Sequence, residues 1–414
     1  MSKKRALISG CLGNILDHYD NAIFGFLVPF IAPYFFPNFS TITALILTYS
    51  MLSLGLISRP IGSLFFGYIG DTLGRKKALF ITILGMSITT FSIGLIPTYN
   101  KIGFFAPLLL ATGKIIQGFF SSGETPGGAI FVLENCEENK KNFFSSLYQT
   151  SSILGIFLAS LAISMFSSLK LIENYWRYLF FIAAITAFLA FFIRIKTEEP
   201  KEFTLNRSNK KEKPLKTIFQ NISIITPLLF IIGFSYSLYI TAIILFNSYL
   251  PLITNITLTS SMNLNTHLLF FDIICLPLFG ILMQKFKKEK MMISSILSMI
   301  IFTPFLFFNL KNGSLFQIIM IRTFFILIGA SFSASIHSVI QEKIHPKMRY
   351  QIVALSFAIG SQAIGKPTAF ISLWILKKTG LILSFYFYLL PISILALFSI
   401  YKLSKKEKIE YKTI

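Results

Sequence analysis

The residues of this chain that could do chemistry sit inside apolar runs at helical spacing. Asn14, Asp17, His18, Asn21 and Gly25 recur at i, i+3, i+4, i+7 and i+11, which is one face of a 3.6-residue helix. Asp20 lies roughly 100° further round. A second stripe, Lys114, Gln117, Ser121, Thr125 and Gly128, follows the same period with Glu124 at its edge. A charge at bilayer depth costs at least about 2.5–3.5 kcal/mol, so neither stripe can face lipid; each must border a wet passage or a partner helix. A carboxylate partly withdrawn from water is suited to exchanging a proton near working pH. Asp17, Asp20 and Glu124 are therefore candidate proton carriers or, alternatively, static contacts between helices. His18 can titrate as well.

Further along, Asp272 is the lone acid at depth in the second half and joins the proton-carrier candidates. Arg322 shares a helix face with Gly329, Ser333 and His337, while Gln362 and Lys366 stand at i and i+4. Lys366 reads either as a contact for an anionic substrate or as the partner of Asp272; His337 reads as a satisfied polar residue. The candidate substrate contacts are Asn14, His18, Asn21, Lys114, Gln117, Ser121, Arg322 and Lys366. Arg59, twelve residues before Asp71 and so about 18 Å away along a helix, reads as a structural cation that needs an acidic partner.

The elements that must position these residues follow from composition. The 414 residues are 54% hydrophobic and 13% charged, with mean hydropathy +0.70, outside the range of soluble domains. A bilayer-spanning helix needs about 20 apolar residues. Twelve such segments lie near 8–36, 42–69, 78–97, 103–133, 143–168, 175–195, 218–247, 264–284, 291–309, 314–340, 350–376 and 381–402. The net charge of +21 could suggest nucleic acid, but 28 of the 38 Lys and Arg fall in alternate connections and termini, against 6 in the opposite loops. That bias is the positive-inside pattern with both termini cytoplasmic, a topology signal and a grip on anionic lipid. Lys3, Lys4 and Arg5 before an apolar run imitate a secretory signal, yet Asp17, His18 and Asp20 would interrupt its core. Cys11, Cys136 and Cys275 are scattered and define neither disulfide nor metal spacing. No catalytic constellation, nucleotide-binding loop or metal set is visible, so an enzyme is not expected, nor any cofactor beyond a proton gradient as energy source.

The segment from Arg59 to Lys77 is an apolar helix with small residues at Gly62, Ser63, Gly67 and Gly70, followed by one acid, Asp71, and three bases. Small residues permit close helix approach, and the tight Gly70-Asp71-x-x-Gly74 turn makes the next helix an antiparallel neighbour. Gly67, Gly70, Asp71, Gly74, Arg75 and Glu134 form the expected gating motif, with Glu134 reaching toward Arg75, or else the loop only anchors topology. Weak echoes of the basic loops at offsets of 210 (Gly70 and Gly280) and 208 (Glu134 and Glu342) suggest parallel half-repeats.

Gly67-x-x-Gly70-Asp71-x-x-Gly74-Arg75-Lys76-Lys77 resembles the loop motif of the major facilitator superfamily. With Arg59-Pro60-x-Gly62, Gly13-Asn14-x-x-Asp17-x-Tyr19-Asp20 and Gln117-Gly118-x-x-x-x-Gly123-Glu124-x-x-Gly127-Gly128, residues 10–135 resemble its metabolite:proton symporters, which include proline/betaine, citrate, 2-oxoglutarate and shikimate transporters. The sequence departs from that family at His18, usually aromatic, at Lys114, usually Arg, and at Lys366, more often Gly. The resemblance implies an all-α membrane protein of twelve transmembrane helices in two six-helix bundles. The expected layout is an N-terminal bundle at 1–195, a cytoplasmic linker at 196–217, a C-terminal bundle at 218–402 and a short tail at 403–414. The expected function is proton-coupled symport of a small carboxylate-bearing metabolite by alternating access, in a monomer in the bacterial inner membrane that binds no nucleic acid. The alternatives are an exporter working by proton antiport and a non-transporting sensor that reuses the fold.

Overall fold

The computed structural model describes residues 3–73, 75–195, 220–308, 310, 314–344 and 346–405. The linker expected at 196–217 and the tail beyond 405 lie outside the described residues. The helices assemble as twelve spans. Span 1 is Lys3–Phe35; span 2 joins Thr41–Ser50 to Gly55–Thr72 through a 3₁₀ turn; span 3 is Arg75–Leu95; span 4 is Phe105–Ser121 with Glu124–Glu134. Span 5 is Lys141–Ser168 and span 6 is Ile172–Ile195. In the second half, span 7 runs through Ile222–Tyr239, Ile240–Leu245 and Phe246–Ile253, span 8 is Leu258–Lys285 and span 9 is Lys288–Leu306. Span 10 is Leu315–Ser333 with Ile336–Glu342, span 11 runs through Pro346–Ile359, Gly360–Gly365 and Thr368–Thr379, and span 12 is Ser384–Lys405. Among the described residues, eight of these helices are long and apolar enough to cross a bilayer by length and composition alone. Spans 1, 4, 6 and 11 are not among the eight, and of these 1, 4 and 11 carry the polar stripes and breaks that surround the centre.

Several spans depart from straight α-helix, and the cause is local. Span 4 breaks at Ser122–Gly123, where Pro126 supplies no N–H for the carbonyl of Ser122. Span 11 widens to a π-turn over Gly360–Gly365, with Lys366 N donating to Ser361 O at 2.8 Å, just before Pro367 interrupts the ladder. Span 7 carries the matching π-turn over Ile240–Leu245. Such turns insert one extra residue and re-aim the side chains around them, which is why they gather at functional sites.

Close packing relies on small residues, as expected where lipid offers no hydrophobic drive between helices. A Cβ at Gly155 of span 5 would run into the backbone oxygen of Ile15 on span 1, and one at Gly280 of span 8 would overlap Ser146 of span 5. The two halves meet at both ends of the spans. At the end bearing the chain termini, Arg349 Nη1 donates to Glu134 Oε1 at 3.1 Å, Tyr350 Oη to Gly123 O at 2.9 Å, and Ser338 Oγ to Asn142 Oδ1 at 2.7 Å. At the opposite end, Tyr49 Oη and Ser248 Oγ share a hydrogen bond at 2.7 Å, Ser167 and Thr259 one at 3.1 Å, and Lys377 Nζ donates to Thr43 at 2.7 Å. The centre lies between these two sets of contacts.

Candidate functional site

Between these two sets of bridges lies a cavity of about 110 Å³, lined from both halves. Span 1 contributes Asp17, His18 and Asn21, span 2 Arg59, span 5 Gln149, span 7 Tyr236 and Tyr239, span 10 His337, and span 11 Phe357 and Lys366. The first polar stripe is positioned as its helical period requires, since residues three and four apart stack on one face. Only its middle faces the hollow. Asn14 turns to span 5, where its amide donates to Ser151 Oγ at 2.8 Å and Ser152 Oγ at 2.7 Å, and Gly25 packs against Ile244 of span 7.

Asp17, 3% exposed, is held by side-chain donors on every side. Oδ1 accepts from Asn21 at 2.8 Å and from Ser121 at 2.7 Å, and Oδ2 accepts from Thr125 at 2.8 Å. Three short bonds of this kind take up most of the acceptor capacity of its two oxygens. Beside it, Arg59 Nη2 donates to Ser121 Oγ at 2.8 Å and to Asn21 Oδ1 at 3.4 Å. With the Gln362 amide turned so that its oxygen faces the guanidinium, Nε and Nη1 donate to it at 3.1 and 3.2 Å. Arg59 thus spans the two halves, from span 2 to span 11. Lys366 differs from both. It is 8% exposed, it borders the cavity just past the π-turn, and its ammonium has no hydrogen-bond or ion-pair partner among the described residues.

Other candidate residues lie elsewhere. Asp20 accepts from Thr90 on span 3 at 2.7 Å and from Gln117 on span 4 at 2.7 Å; Lys114 donates to Gln117 Oε1 and sits 4.4 Å over the Phe24 ring. This cluster ties spans 1, 3 and 4 together away from the cavity. Glu124 accepts from Thr82 of span 3 at 3.2 Å. Arg322 is fully buried: Nη1 donates to Ser261 O at 3.0 Å, and Nη2 to Asn247 Oδ1 at 3.0 Å, Asn265 Oδ1 at 2.5 Å and Ala242 O at 3.3 Å. It clamps spans 7, 8 and 10 around the π-turn and does not reach the hollow. Asp272 is also fully buried, and neither of its oxygens has a hydrogen-bond partner among the described residues, so it is not paired with Lys366.

Of the expected gating motif, Glu134 bonds Arg349 in the other half, and Gly67 packs against Tyr350 and Gln351 of span 11. Gly74 lies outside the described residues, as do the surroundings of Gly70, Asp71 and Arg75. Glu342, the echo of Glu134, pairs with Lys288 of its own half at 2.6 Å.

Sequence reasoning did not select Arg59, His337, Gln149, Tyr236 or Tyr239 as site residues. His337 stacks on Phe357, its Nε2 lies 3.2 Å from Gln149 Oε1 of the other half, and its Nδ1 has no partner. The depth of Arg59 was a usable signal. Uncharged Gln and Tyr within apolar runs offered none.

The arrangement is that of a multi-pass membrane carrier with a central site between its two halves, the architecture of the major facilitator superfamily. The profile of the family described as "Sugar (and other) transporter" matches residues 6–213, half of the chain, and the chain belongs to that family. A "Putative proline/betaine transporter" of Staphylococcus aureus (strain MSSA476) is 26% identical over 403 residues, covering 95% of this chain and 86% of that protein. The "Proline/betaine transporter" of Salmonella typhimurium is 37% identical over 204 residues, 48% of this chain and 41% of its own length. Among solved structures, the xylose transporter XylE from E. coli in a partially occluded inward open conformation superposes with TM-score 0.78 at 15% identity, covering 98% of this chain and all of that one. The likeness establishes the fold of twelve helices in two bundles. The chain is a transporter, not an enzyme.

Proposed function

We propose that this protein takes up a small carboxylate-bearing metabolite together with protons, by alternating access. Lys366, a cation bordering the central cavity with no hydrogen-bond or ion-pair partner among the described residues, is the observation that carries the reading. An unpaired ammonium at this depth is costly, and an anionic group of the substrate offsets that cost. Arg59 beside it adds positive field, while Asp17 already accepts from Asn21, Ser121 and Thr125. Two cations against one satisfied acid favour an organic acid over a zwitterion, although relatives carry the name proline/betaine transporter.

Transport on this reading is a rocking of the halves. Opening toward one side breaks the bonds of that end, Glu134–Arg349 and Tyr350–Gly123 on one, Tyr49–Ser248 and Lys377–Thr43 on the other. The positive bias of the loops supports a cytoplasmic side for the termini and the first of these ends; on this reading the working unit is a monomer in a bacterial inner membrane. Proton uptake on an interior carboxylate supplies the drive. The test is uptake of labelled 2-oxoglutarate, citrate, proline and glycine betaine into proteoliposomes under an imposed proton gradient. Accumulation of an organic acid that collapses with the gradient supports the proposal; transport indifferent to the gradient removes the symport claim.

A further inference from the structure

The interior acids differ in what surrounds them. Asp17 has three side-chain donors, and Asp20 is held by Thr90 and Gln117 beside Lys114. Asp272, midway along span 8, is 0% exposed, and neither oxygen is held by a well-formed hydrogen bond or an ion pair among the described residues. The group facing it is the Tyr239 hydroxyl of span 7, which itself has no hydrogen-bond partner, with Cys275 one turn along its own helix. Among the described residues no cation pairs with it. Arg322 of span 10 is committed to Ser261, Asn247, Asn265 and Ala242, and span 5, packed along span 8, has no charged residue beyond Lys141 at its far end. A bare carboxylate with a single hydroxyl beside it and no counter-charge is not tolerable in such a place, whereas a neutral carboxyl is.

Tyr239 also lines the central cavity, which Asp272 does not, so the Tyr239 side chain touches both. It occupies the last residue before the π-turn of span 7, and its ring rests on Gly329 of span 10, whose missing Cβ leaves the ring room. A hydroxyl that is both donor and acceptor can receive a proton from one side and pass another to the other. We propose that Asp272 is a proton-binding site of this carrier, occupied in this conformation, and that Tyr239 is the positioning residue through which its proton exchanges with the cavity. The proposal gives the symport reading a named proton carrier, but the site is testable without any substrate.

The experiment is infrared spectroscopy of the full chain in lipid, following the carbonyl stretch of protonated carboxylic acid and its exchange from H to D. Wild type is expected to show the band at neutral pH. Asp272→Asn removes it, Asp17→Asn retains it, and Tyr239→Phe keeps it but slows its H-to-D exchange at least about tenfold, the kinetic equivalent of about 1.4 kcal/mol. Survival of the full band in Asp272→Asn overturns the assignment, and unchanged exchange in Tyr239→Phe overturns the path. Should Asp272→Asn not fold, Asp272→Glu carries the same test, since it must shift the band rather than leave it untouched. A confirmed site in a protein whose uptake ignores the gradient would sink the symport reading alone.

Discussion

Replacing Lys366 by Met separates a ligand-binding cation from a structural one. The side chain keeps its length and apolar stem and loses only the ammonium, which has no partner among the described residues. The free protein therefore loses no hydrogen bond and sheds an unpaired charge, so its melting temperature should hold or rise. Any bond the ammonium makes to a substrate carboxylate is charge-assisted, worth about 1.5–3 kcal/mol net, which corresponds to about 10–150-fold in Kd. Arg59→Met provides the contrast. That guanidinium is engaged by Ser121, Asn21 and Gln362, so its loss should lower stability and affinity together. The assay is titration calorimetry on purified protein with 2-oxoglutarate, citrate, shikimate, proline and glycine betaine, beside a thermal melt of each variant. Binding of the preferred organic acid by Lys366→Met within about threefold of wild type, a difference under about 0.7 kcal/mol, would refute the anchoring role.

Arg322→Met should destabilise the fold by about 3–5 kcal/mol, because it strands the buried acceptors of Asn247, Asn265 and Ala242; a thermal or denaturant melt checks this, and an unshifted melt would contradict the clamp. Glu134→Gln should weaken the closure at the end bearing the termini, since both partners of Glu134–Arg349 are largely buried; labelling of single cysteines placed in the cavity, with reagent added from that side, should accelerate. Gly155→Ala should cost about 1–3 kcal/mol through overpacking, because the added methyl meets the backbone of Ile15 rather than a movable side chain; a melt equal to wild type would mean that spans 1 and 5 can separate freely.

The all-helical, twelve-span architecture was legible in the chain itself, because bilayer thickness fixes span length and every backbone group must be satisfied within a helix. Helical spacing likewise brought Asp17, His18 and Asn21 to one face, and the cost of submerged charge identified Asp272, Arg322 and Lys366 as residues that must have a reason to be there. What spacing could not supply was the identity of the partner across each helix face. Asn14 shares the stripe of Asp17 yet bonds span 5, and Arg322 shares the charge and depth of Lys366 yet is consumed by four acceptors. Those outcomes depend on which helices are neighbours and on the turns that re-aim them: the break at Ser122–Gly123 and the π-turns at Ile240–Leu245 and Gly360–Gly365. Partner choice is a contact between residues distant in the chain, Asp17 with Thr125, Arg59 with Gln362, Glu134 with Arg349. Sequence periodicity specifies only which way a side chain points from its own helix, so the tertiary packing alone decided which ionised groups are held and which one stands free.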